Sequence, residues 1–572
     1  MGACMPSLPW RGLGLSSNLS ERDQPHPYRL LEECPGLFDY VEYSAPLSLD
    51  EARREASLFP EMWRSRDQVP VLFHPVHLNL YGPELESAAA LAALDAHARA
   101  VGSPWVGNDV GWWHAGGQPF PGYLYFTPPL SAAGLADAAA HALHVQAGLS
   151  MPLALENPAV FARRGGLHVL DFMAGLHART GLPLLLDLGH LLSFQLSAGL
   201  PAEAGLDGFP LDRVIELHLA GGVVTRRGSA GPHHGLYVDD HTQPVREELF
   251  ALLERLLPRC SALRAVTFEG DGHPPEVAAL TLRRLRGLLP AGARADLSWE
   301  TPVASAPQPG AAFQTRPWEL FEEGYSTRPP ASAEDVSGAR AEQDFRLAVV
   351  AEALDRDWPL TRLLLAGDRA GLAAFTGSRD FRELFEGLGR SLGHAFASYA
   401  RRTLRARPDE GASAALAFET FLPQAFARPV VPPAAGELSL APDVRVGHFP
   451  ADLTELVFAA RSLRRHLTGR AWACEALELS GLEALAQVAA RPAPGPWTFA
   501  VRRRAGGLEV LTVPSRLGLL LRALAAGPQR PEALEPALAA QVEEGLARGL
   551  LRRGVGEGAR AGAPLAPGPA LG

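Results

Sequence analysis

The strongest constraint on the fold is a pattern that repeats through the first 290 residues. Short apolar runs of β-type composition alternate there with longer stretches of helical character that are rich in Ala, Leu and Arg. A strand followed by a helix, repeated eight times in a stretch of this length, predicts an α/β fold of the (β/α)8 or TIM-barrel type. The eight runs are GLGL ending at Leu15, FDYVE at Glu42, VPVLFH at His74, WVGND at Asp109, PLALE at Glu156, PLLLD at Asp187, VIELH at His218 and RAVTFE at Glu269.

Charged and imidazole side chains mark the ends of these runs. Seven of the eight runs end in Glu, His or Asp, and in a TIM barrel the carboxyl ends of all strands meet at one mouth, where active sites of this fold lie. Burying several carboxylates together without a counter-charge is costly. Lysine cannot supply that charge, because all 53 basic residues of the chain are arginines, and few of them fall in these runs. Bound metal cations are therefore the expected counter-charge.

Two short spacings extend the set of candidate ligands. A D-x-x-H follows one strand and a D-x-H follows another, so that two side chains of one loop can reach the same ion. A mixture of imidazole and carboxylate suits Fe, Mn or Zn better than Ca or Mg. One terminal acid alone more often caps a helix or forms a salt bridge, but the whole set is too large for one ion and predicts two or three ions with bridging carboxylates. The candidates are His74, Asp109, Glu156, Asp187, His190, His218, Asp239, His241 and Glu269.

Composition narrows the function further. The absence of lysine excludes a Schiff-base or P-loop lysine, and the net charge of −10 argues against a nucleic-acid partner. The four cysteines lie far apart in the sequence, which is typical of a reducing compartment. The sequence has neither an apolar run long enough to cross a membrane nor a signal-peptide pattern. We expect a cytoplasmic protein with no membrane partner.

The pattern changes after residue 290. Proline, alanine and glycine then dominate, and the histidines thin out to three. Further on, Leu/Ala/Phe-rich stretches predict a mainly helical region, and two apolar runs around Ala505 predict a β-hairpin in a small α+β unit that could be winged-helix-like. The predicted domains are a metal-dependent barrel at 1–290, a linker at 291–316, a helical domain at 317–430, a small α+β domain at 437–555 that could recognise a peptide, and a disordered tail at 556–572.

Six motifs surround the candidate ligands: HPVHLNLYG at His74, ENP at Glu156 and Asn157, LLLDLGH at Asp187 to His190, IELHLAGG at His218, VDDHTQPV at Asp239 to His241 and FEGD at Glu269 to Asp271. Together they resemble the multinuclear non-haem iron-dependent oxidases, a family that includes the methanobactin-biosynthesis oxidase. The resemblance covers about residues 11 to 290. In this chain, Asn18 and Asp109 stand where the family often has histidine.

The resemblance implies a TIM barrel that holds two or three iron ions as Fe2+ or Fe3+, with dioxygen as the oxidant. The implied substrate is a ribosomally made precursor peptide, commonly modified at cysteine. On this basis the nine candidates are iron ligands, whereas Asn157 and Glu42 contact those ligands or the substrate. Family members often act with a separate partner protein that presents the peptide, so we expect the C-terminal half to be a fused equivalent of that partner.

Two other functions remain open at the level of sequence. Sugar isomerases and apurinic-site endonucleases resemble the same barrel with similar ligand spacings, and use zinc or manganese with a metal-bound hydroxide. A barrel of this kind could also be a silent scaffold for the C-terminal half, although the completeness of the ligand set argues against it.

Overall fold

The computed structural model describes residues 7–20, 25–226, 235–290, 292, 294–299, 313–328, 335–427, 429–454, 456–457, 494–504 and 507–554, and the structural statements below concern these residues. All eight predicted strands are present. They are β1 Gly12–Ser17, β2 Tyr40–Ala45, β3 Val71–Pro75, β4 Val106–Asp109, β5 Leu153–Glu156, β6 Leu184–Asp187, β7 Val214–Ala220 and β8 Ala265–Glu269.

These strands form a closed barrel in which each strand is parallel to both neighbours. The order around the barrel follows the order along the chain, and β8 closes the ring by pairing with β1, with Val266 opposite Leu13. The prediction of a TIM barrel is therefore confirmed. The helices that alternate with the strands are α1 Pro27–Glu33, α2 Leu49–Glu55, α3 Phe59–Ser65, α4 Ala88–Val101, α5 Ala132–Ala147, α6 Val169–Thr180, α7 Leu188–Ala198, α8 Glu247–Leu256 and α9 Pro275–Leu288.

Local sequence explains where several elements begin and end. β7 is buried along its whole length, as expected for a parallel strand covered on both faces. α6 and α7 end at Gly181 and Gly199, which adopt the left-handed backbone that glycine tolerates best. Asp187 ends β6 and caps α7 by accepting a hydrogen bond from the backbone N–H of His190. This tight strand-to-helix turn fixes both side chains at the barrel mouth.

The described parts of the predicted linker are attached to the barrel. Leu297–Ser298 pairs antiparallel with Ser7–Leu8. Further along, the backbone N–H groups of Gln314 and Thr315 both donate to the carboxylate of Asp137 on α5. Hydrogen bonds therefore hold both ends of the predicted linker against the barrel, although its predicted limits stay a prediction.

The chain divides into two compact units. The first contains residues 1–350 and Arg382–Gly389, and the second contains Ala351–Phe381 and most of the chain from residue 390 onward. The predicted limits of the helical and α+β domains stay predictions, and the predicted tail at 556–572 lies outside the described residues. Within the described part of the chain, no helix is long and apolar enough to cross a membrane.

The C-terminal half is mainly helical, as predicted. An antiparallel sheet contains three strands: β10 (Val444–Ala451), β11 (Pro494–Arg504) and β12 (Gly507–Thr512). β11 and β12 are the two strands of the predicted hairpin. β9 (Leu438–Leu440) and β13 (Leu551–Arg553) form a separate antiparallel pair. The elements after the barrel are α10 Pro317–Gly324, α11 Val336–Asp357, α12 Pro359–Leu365, α13 Arg369–Thr376, α14 Arg379–Arg382, α15 Leu392–Ala406, α16 Glu410–Ala427, β9 Leu438–Leu440, β10 Val444–Ala451, β11 Pro494–Arg504, β12 Gly507–Thr512, α17 Ser515–Ala525, α18 Pro536–Ala539, α19 Val542–Ala547 and β13 Leu551–Arg553.

Candidate metal centre

The barrel mouth brings all nine predicted ligands into one buried cluster. Three of them follow strands: His190 lies in the first turn of α7, Asp239 ends a hairpin strand (Gly235–Asp239) after β7, and His241 follows two residues later. The other six lie at or within two residues of the carboxyl ends of strands β3 to β8: His74, Asp109, Glu156, Asp187, His218 and Glu269.

The first group, site A, consists of His74, Asp109 and Glu156. One ligand atom from each lies within 4.8 Å of the other two, and His74 Nε2 is 2.9 Å from Glu156 Oε2. Tyr125 supports the group, because its hydroxyl donates to Asp109 Oδ1 at 3.3 Å and accepts from the backbone N–H of Ala159. Asp109, which stands where the resembling family often has histidine, is thus held where it can still bind a cation through oxygen.

The second group, site B, consists of Asp187, His218 and Glu269, whose ligand atoms also lie within 4.8 Å of one another. His218 Nδ1 is 3.5 Å from Glu269 Oε1 and 3.4 Å from Glu156 Oε1. Glu156 therefore contacts both groups, with Oε2 on His74 of site A and Oε1 on His218 of site B. A carboxylate in this position can bridge two neighbouring ions.

The third group, site C, consists of His190, Asp239 and His241. Asp239 Oδ2 lies 3.4 Å from His190 Nε2 and 3.0 Å from His241 Nε2. The other ring nitrogen of each histidine faces a fixed acceptor: His190 Nδ1 is 2.9 Å from the Asn157 carbonyl oxygen, and His241 Nδ1 is 3.3 Å from Asp271 Oδ2. Such contacts orient a metal-binding imidazole and select its tautomer.

The two residues expected near the ligands or the substrate lie behind the ligands. The Asn157 side-chain amide accepts from the backbone N–H of Asp187 at 2.8 Å and donates to the Asp187 carbonyl at 3.0 Å, so it anchors the end of β6. Glu42 Oε2 is 2.9 Å from His218 Nε2, on the opposite side of that ring from site B. Asn157 therefore contacts the backbone of Asp187, and Glu42 contacts the ring of His218.

Sequence reasoning missed a buried carboxylate deeper in the barrel. Glu216 accepts from Trp105 Nε1 at 2.7 Å, and the hydroxyl of Thr267 lies 3.0 Å from its other oxygen. The same hydroxyl is 3.1 Å from Glu42 Oε2, so it joins the two acids behind His218. The signal for Glu216 is its position two residues before His218, which puts both side chains on the same face of β7. Asp271, quoted in a motif but not predicted as a site residue, was also missed.

Charge in the cluster shifts several pKa values. Burial lowers the pKa of His74, but the hydrogen bond and charge of Glu156 outweigh burial and raise that pKa to about 9. Burial and then the charge of Glu156 raise the pKa of Asp109 to about 7. Burial lowers the pKa of His218, yet the carboxylates around it raise the pKa well above its usual value. The raised pKa values show that the cluster attracts positive charge, because both acids and imidazoles keep their protons there. Bound metal ions would displace those protons.

Buried atoms without partners test whether metal ions fit here. In the described part of the chain, Asp187 Oδ2, Asp239 Oδ1 and His218 Nδ1 make no hydrogen bond. A buried polar atom left in this state costs about 1–3 kcal/mol. These atoms belong to sites B and C, and carboxylate oxygen with imidazole nitrogen is a donor set suited to Fe, Mn or Zn. The residues therefore fit a group of two or three ions.

A cavity of about 620 Å³ gives access to the cluster. Seven of the nine ligands line it, whereas Asp187 and His218 are fully buried beneath the surface. Asn18 and Asp271 also line the cavity, although Asn18 contacts none of the three groups. Much of the remaining lining is aromatic or aliphatic and includes Trp113, Tyr123, Tyr125, Leu124, Phe161, Val238 and Phe345.

Solved structures with similar folds cover the barrel half. Endonuclease IV from Thermus thermophilus is 22% identical, with 49% of this chain and 98% of that chain covered, at a TM-score of 0.30. A xylose isomerase-like TIM barrel protein from Mycobacterium smegmatis in complex with magnesium is 13% identical, with 49% and 98% covered, at a TM-score of 0.33.

Sequence relatives cover the same half. The chain is 30% identical over 280 residues to UPF0276 protein BPP1075 of Bordetella parapertussis, which covers 48% of this chain and 90% of that protein. It is 27% identical over 273 residues to a UPF0276 protein of Caulobacter vibrioides, which covers 47% of this chain and 91% of the relative. The family model described as RiPP precursor modification enzyme MbnB/TglH/ChrH matches residues 22–285, a stretch that contains all nine predicted ligands. Sites A, B and C thus lie in a chain that belongs to the family of RiPP precursor modification enzymes MbnB/TglH/ChrH.

Proposed function

We propose that this chain is a cytoplasmic multinuclear non-haem iron-dependent oxidase that uses dioxygen to modify a ribosomal precursor peptide, at a cysteine. Membership of the family makes the chain an enzyme that acts on a ribosomally synthesised precursor. The observation that carries the finer proposal is the arrangement of nine imidazole and carboxylate side chains in three adjacent groups, two of which contain buried atoms without a hydrogen bond.

The proposal assigns two or three iron ions to sites A, B and C. Bound iron would supply the redox chemistry through which dioxygen oxidises the substrate. Glu156 holds neighbouring sites together because its two oxygens face different groups. Glu42 and Asn157 act as positioning residues: Glu42 faces the Nε2 side of His218, which leaves Nδ1 for site B, and Asn157 fixes the backbone of Asp187.

The rim of the cluster offers a route for protons. His241 and Asp271 are its most open members, with side chains 30% and 39% exposed. A proton on His241 Nδ1 faces Asp271 Oδ2 at 3.3 Å and can pass from there to solvent. Trp113 and Tyr125, whose ring centroids are 4.3 Å apart, also line the cavity.

We also propose that the C-terminal half presents the peptide in place of a separate partner protein. Among the described residues, β12 pairs with β11 on one edge and with no strand on the other. An open strand edge can bind an extended peptide through backbone hydrogen bonds. Hydrogen exchange of the whole chain tests this: adding the precursor peptide should slow the amides of Gly507–Thr512, and unchanged exchange there would contradict it.

The oxidase proposal is tested with the anaerobically purified, iron-loaded chain and a short cysteine-containing peptide encoded beside its gene. In air we expect oxygen uptake together with a change in the mass of the peptide. Both should be lost in His218→Ala and retained in His144→Ala, a control on α5 whose imidazole contacts only the carbonyl of Glu86.

Two outcomes of this experiment would contradict the proposal. One is iron content that the His218→Ala change leaves unaltered. The other is a colourless protein that holds zinc or manganese and leaves the peptide mass unchanged in air. The second outcome would favour the alternative predicted from the sequence, a metal-dependent hydrolase or isomerase on the same barrel.

A further inference from the structure

Helix α11 (Val336–Asp357) contributes to the cavity beside the metal centre, although it lies outside the stretch matched by the family model. That match ends at residue 285. Three residues from the first part of the helix, Glu342, Phe345 and Arg346, line the cavity together with seven of the nine ligands. One wall of the pocket is therefore specific to the segment that follows the barrel in this chain.

A buried ion network fixes this helix to the barrel. Glu342 accepts from Arg164 Nη1 at 2.8 Å through one oxygen and from Arg346 Nη2 at 2.8 Å through the other. Arg164 follows β5 and also pairs with Glu323 at 3.1 Å. Arg346 donates in addition to the backbone carbonyl of Tyr125. Because Arg164, Arg346 and Glu342 are all buried, this network holds the helix in one position.

The apolar face of the helix packs beside the network. Phe345 and Val349 form a small buried cluster with Leu124 and Val238 of the barrel loops. The ring of Phe161 lies against that of Phe345, with centroids 5.7 Å apart. All of these residues except Val349 also line the cavity. The helix thus closes part of the pocket with Phe345, which offers no hydrogen-bonding group, and with Glu342 and Arg346, which are paired in the ion network.

Close packing of the helix also shapes the neighbouring loop. Gly122 has a φ of +75°, and a Cβ atom built there would lie 1.9 Å from Val349 Cγ1, so only glycine allows the helix to approach this closely. The next residue, Tyr123, has a φ of 58°, which is strained for a bulky side chain. Its ring lines the cavity and is 46% exposed.

The cavity has two chemically different parts. The predicted ligands and Asp271 make one part charged, whereas Leu124, Phe161, Val238 and Phe345 make the other apolar. Glu342 and Arg346 also line the cavity, but each is already paired in the buried ion network. Its volume of about 620 Å³ is typical of pockets that hold a whole small ligand, and exceeds what one reacting residue of a peptide requires. A polar group placed against the apolar part would lose its hydrogen bonds, whereas an apolar group gains from burial there.

We propose that Phe161, Phe345, Leu124 and Val238 form a subsite that takes a large apolar side chain of the substrate, beside the residue that reaches the metal centre. This inference rests on the proposed function in that the occupant is a peptide. Phe345 is the specificity-determining residue that the post-barrel helix supplies, so exchanging this helix residue changes which peptide sequences the barrel accepts.

Binding of two small probes to the full chain tests the subsite. The probes are N-acetylphenylalaninamide and N-acetylalaninamide, and their dissociation constants are measured by titration NMR on metal-free protein. We expect the phenylalanine probe to bind at least about tenfold more tightly than the alanine probe. Phe345→Ala should reduce this preference to about twofold or less. Phe345→Leu, which keeps apolar volume but removes the ring, should reduce it partly. Val349→Ala is the matched control, because Val349 packs in the same cluster without lining the cavity.

Three results would overturn the subsite: no preference in the natural protein, an unchanged preference in Phe345→Leu, or an equal loss in Val349→Ala. Thermal melts show which variants are folded, and Phe345→Leu decides the question if Phe345→Ala does not fold. The probes contain no cysteine and the protein holds no iron. Failure of peptide oxidation in air therefore leaves this result standing, and failure of the subsite leaves the oxidase proposal standing.

Discussion

Two groups of buried acids lie in the same barrel and differ in how their oxygens are satisfied. Glu216 is complete, because Trp105 donates to one oxygen and the Thr267 hydroxyl lies against the other. At the mouth, Asp187 Oδ2 and Asp239 Oδ1 have no hydrogen-bond partner among the described residues. Burial alone therefore does not identify a metal ligand. The difference lies in the partners: Glu216 needs no cation, whereas Asp187, Asp239 and, among the inner acids, Glu42 each keep one oxygen without a hydrogen bond.

His218 marks the boundary between the two groups. Its Nε2 faces Glu42 and Glu216 at 2.9 and 3.5 Å, and its Nδ1 faces Glu156 and Glu269 at 3.4 and 3.5 Å. The inner acids thus orient an imidazole that the outer acids share. Glu42, Glu216 and His218 also lie close enough together to hold an ion. Substitutions on the two sides of this ring distinguish positioning from ligation.

The largest effect is expected from Glu156→Gln. The amide keeps the size of the side chain but removes a charge that faces sites A and B and lies 3.6 Å from His190 Nδ1 of site C. Sites A and B should therefore lose iron, and site C should bind it more weakly. Turnover should fall by more than about a hundredfold. Metal analysis with a peptide-modification assay measures both. Glu254→Gln on the exposed face of α8 is the control, and full iron content in Glu156→Gln would contradict the bridging role.

A smaller effect is expected from Glu216→Gln. An amide cannot accept from Trp105 and from Thr267 as the carboxylate does, so the free energy of unfolding should fall by about 1–3 kcal/mol. Iron should remain bound at saturation, with affinity reduced by about 10–100-fold because His218 is less well oriented. Denaturant unfolding and iron titration measure these effects. Loss of bound iron at saturation would instead make Glu216 a ligand.

The mouth contributes to the pH dependence of the metal-free protein, as do Glu42 and Glu419, whose pKa values burial raises to about 7 and about 8. Folding raises the pKa of His74 from 6.5 to about 9, so its stabilising contribution is complete below about pH 6.5 and is lost as pH rises through 9. The raised pKa of Asp109, about 7, acts in the same direction because folding favours its protonated form. The melting temperature should fall by at least about 3 °C between pH 6 and pH 9.

Two comparisons check that prediction by calorimetry. His74→Asn should flatten the fall in melting temperature. Iron-loaded protein should show a smaller fall, because bound ions replace the protons of the mouth. A metal-free protein whose melting temperature rises between pH 6 and pH 9 would contradict the protonated cluster.

The smallest effect is expected from Asp271→Asn. Asp271 faces His241 Nδ1, but its side chain is 39% exposed and water can replace it. Iron affinity of site C should fall by about tenfold, with little change at sites A and B. Ser16→Ala removes the other contact of Asp271, at 3.5 Å, and should change iron affinity by less than about twofold. An equal effect of both variants would argue against orientation of His241.

The sequence predicts the barrel and its mouth because both follow from short-range patterns. An apolar run that ends in a charged residue specifies a strand and the position of its last side chain, as for Asp187 on β6. Glu216 was within reach of the same reasoning, since the two-residue period of β7 places it on the face of His218. The pattern of charged strand ends does not include Glu216, because this acid lies inside the strand.

The wall formed by helix α11 could not be predicted in this way. Glu342 meets Arg164 across 178 positions of sequence, and nothing in either local pattern indicates the other. Arg346 and Phe345 resemble ordinary residues of an amphipathic helix until the packing is known. Contacts of this kind arise from tertiary structure, which a single sequence does not encode in local periodicity.

The central claim is that the outer acids, and not the inner ones, hold iron. Anomalous diffraction at the iron edge from crystals grown without oxygen tests it most directly. We expect two or three iron peaks bounded by the residues of sites A, B and C, and no peak between Glu42 and Glu216. Iron confined to the group of Glu42, Glu216 and His218, or no iron in sites A to C after loading, would contradict it.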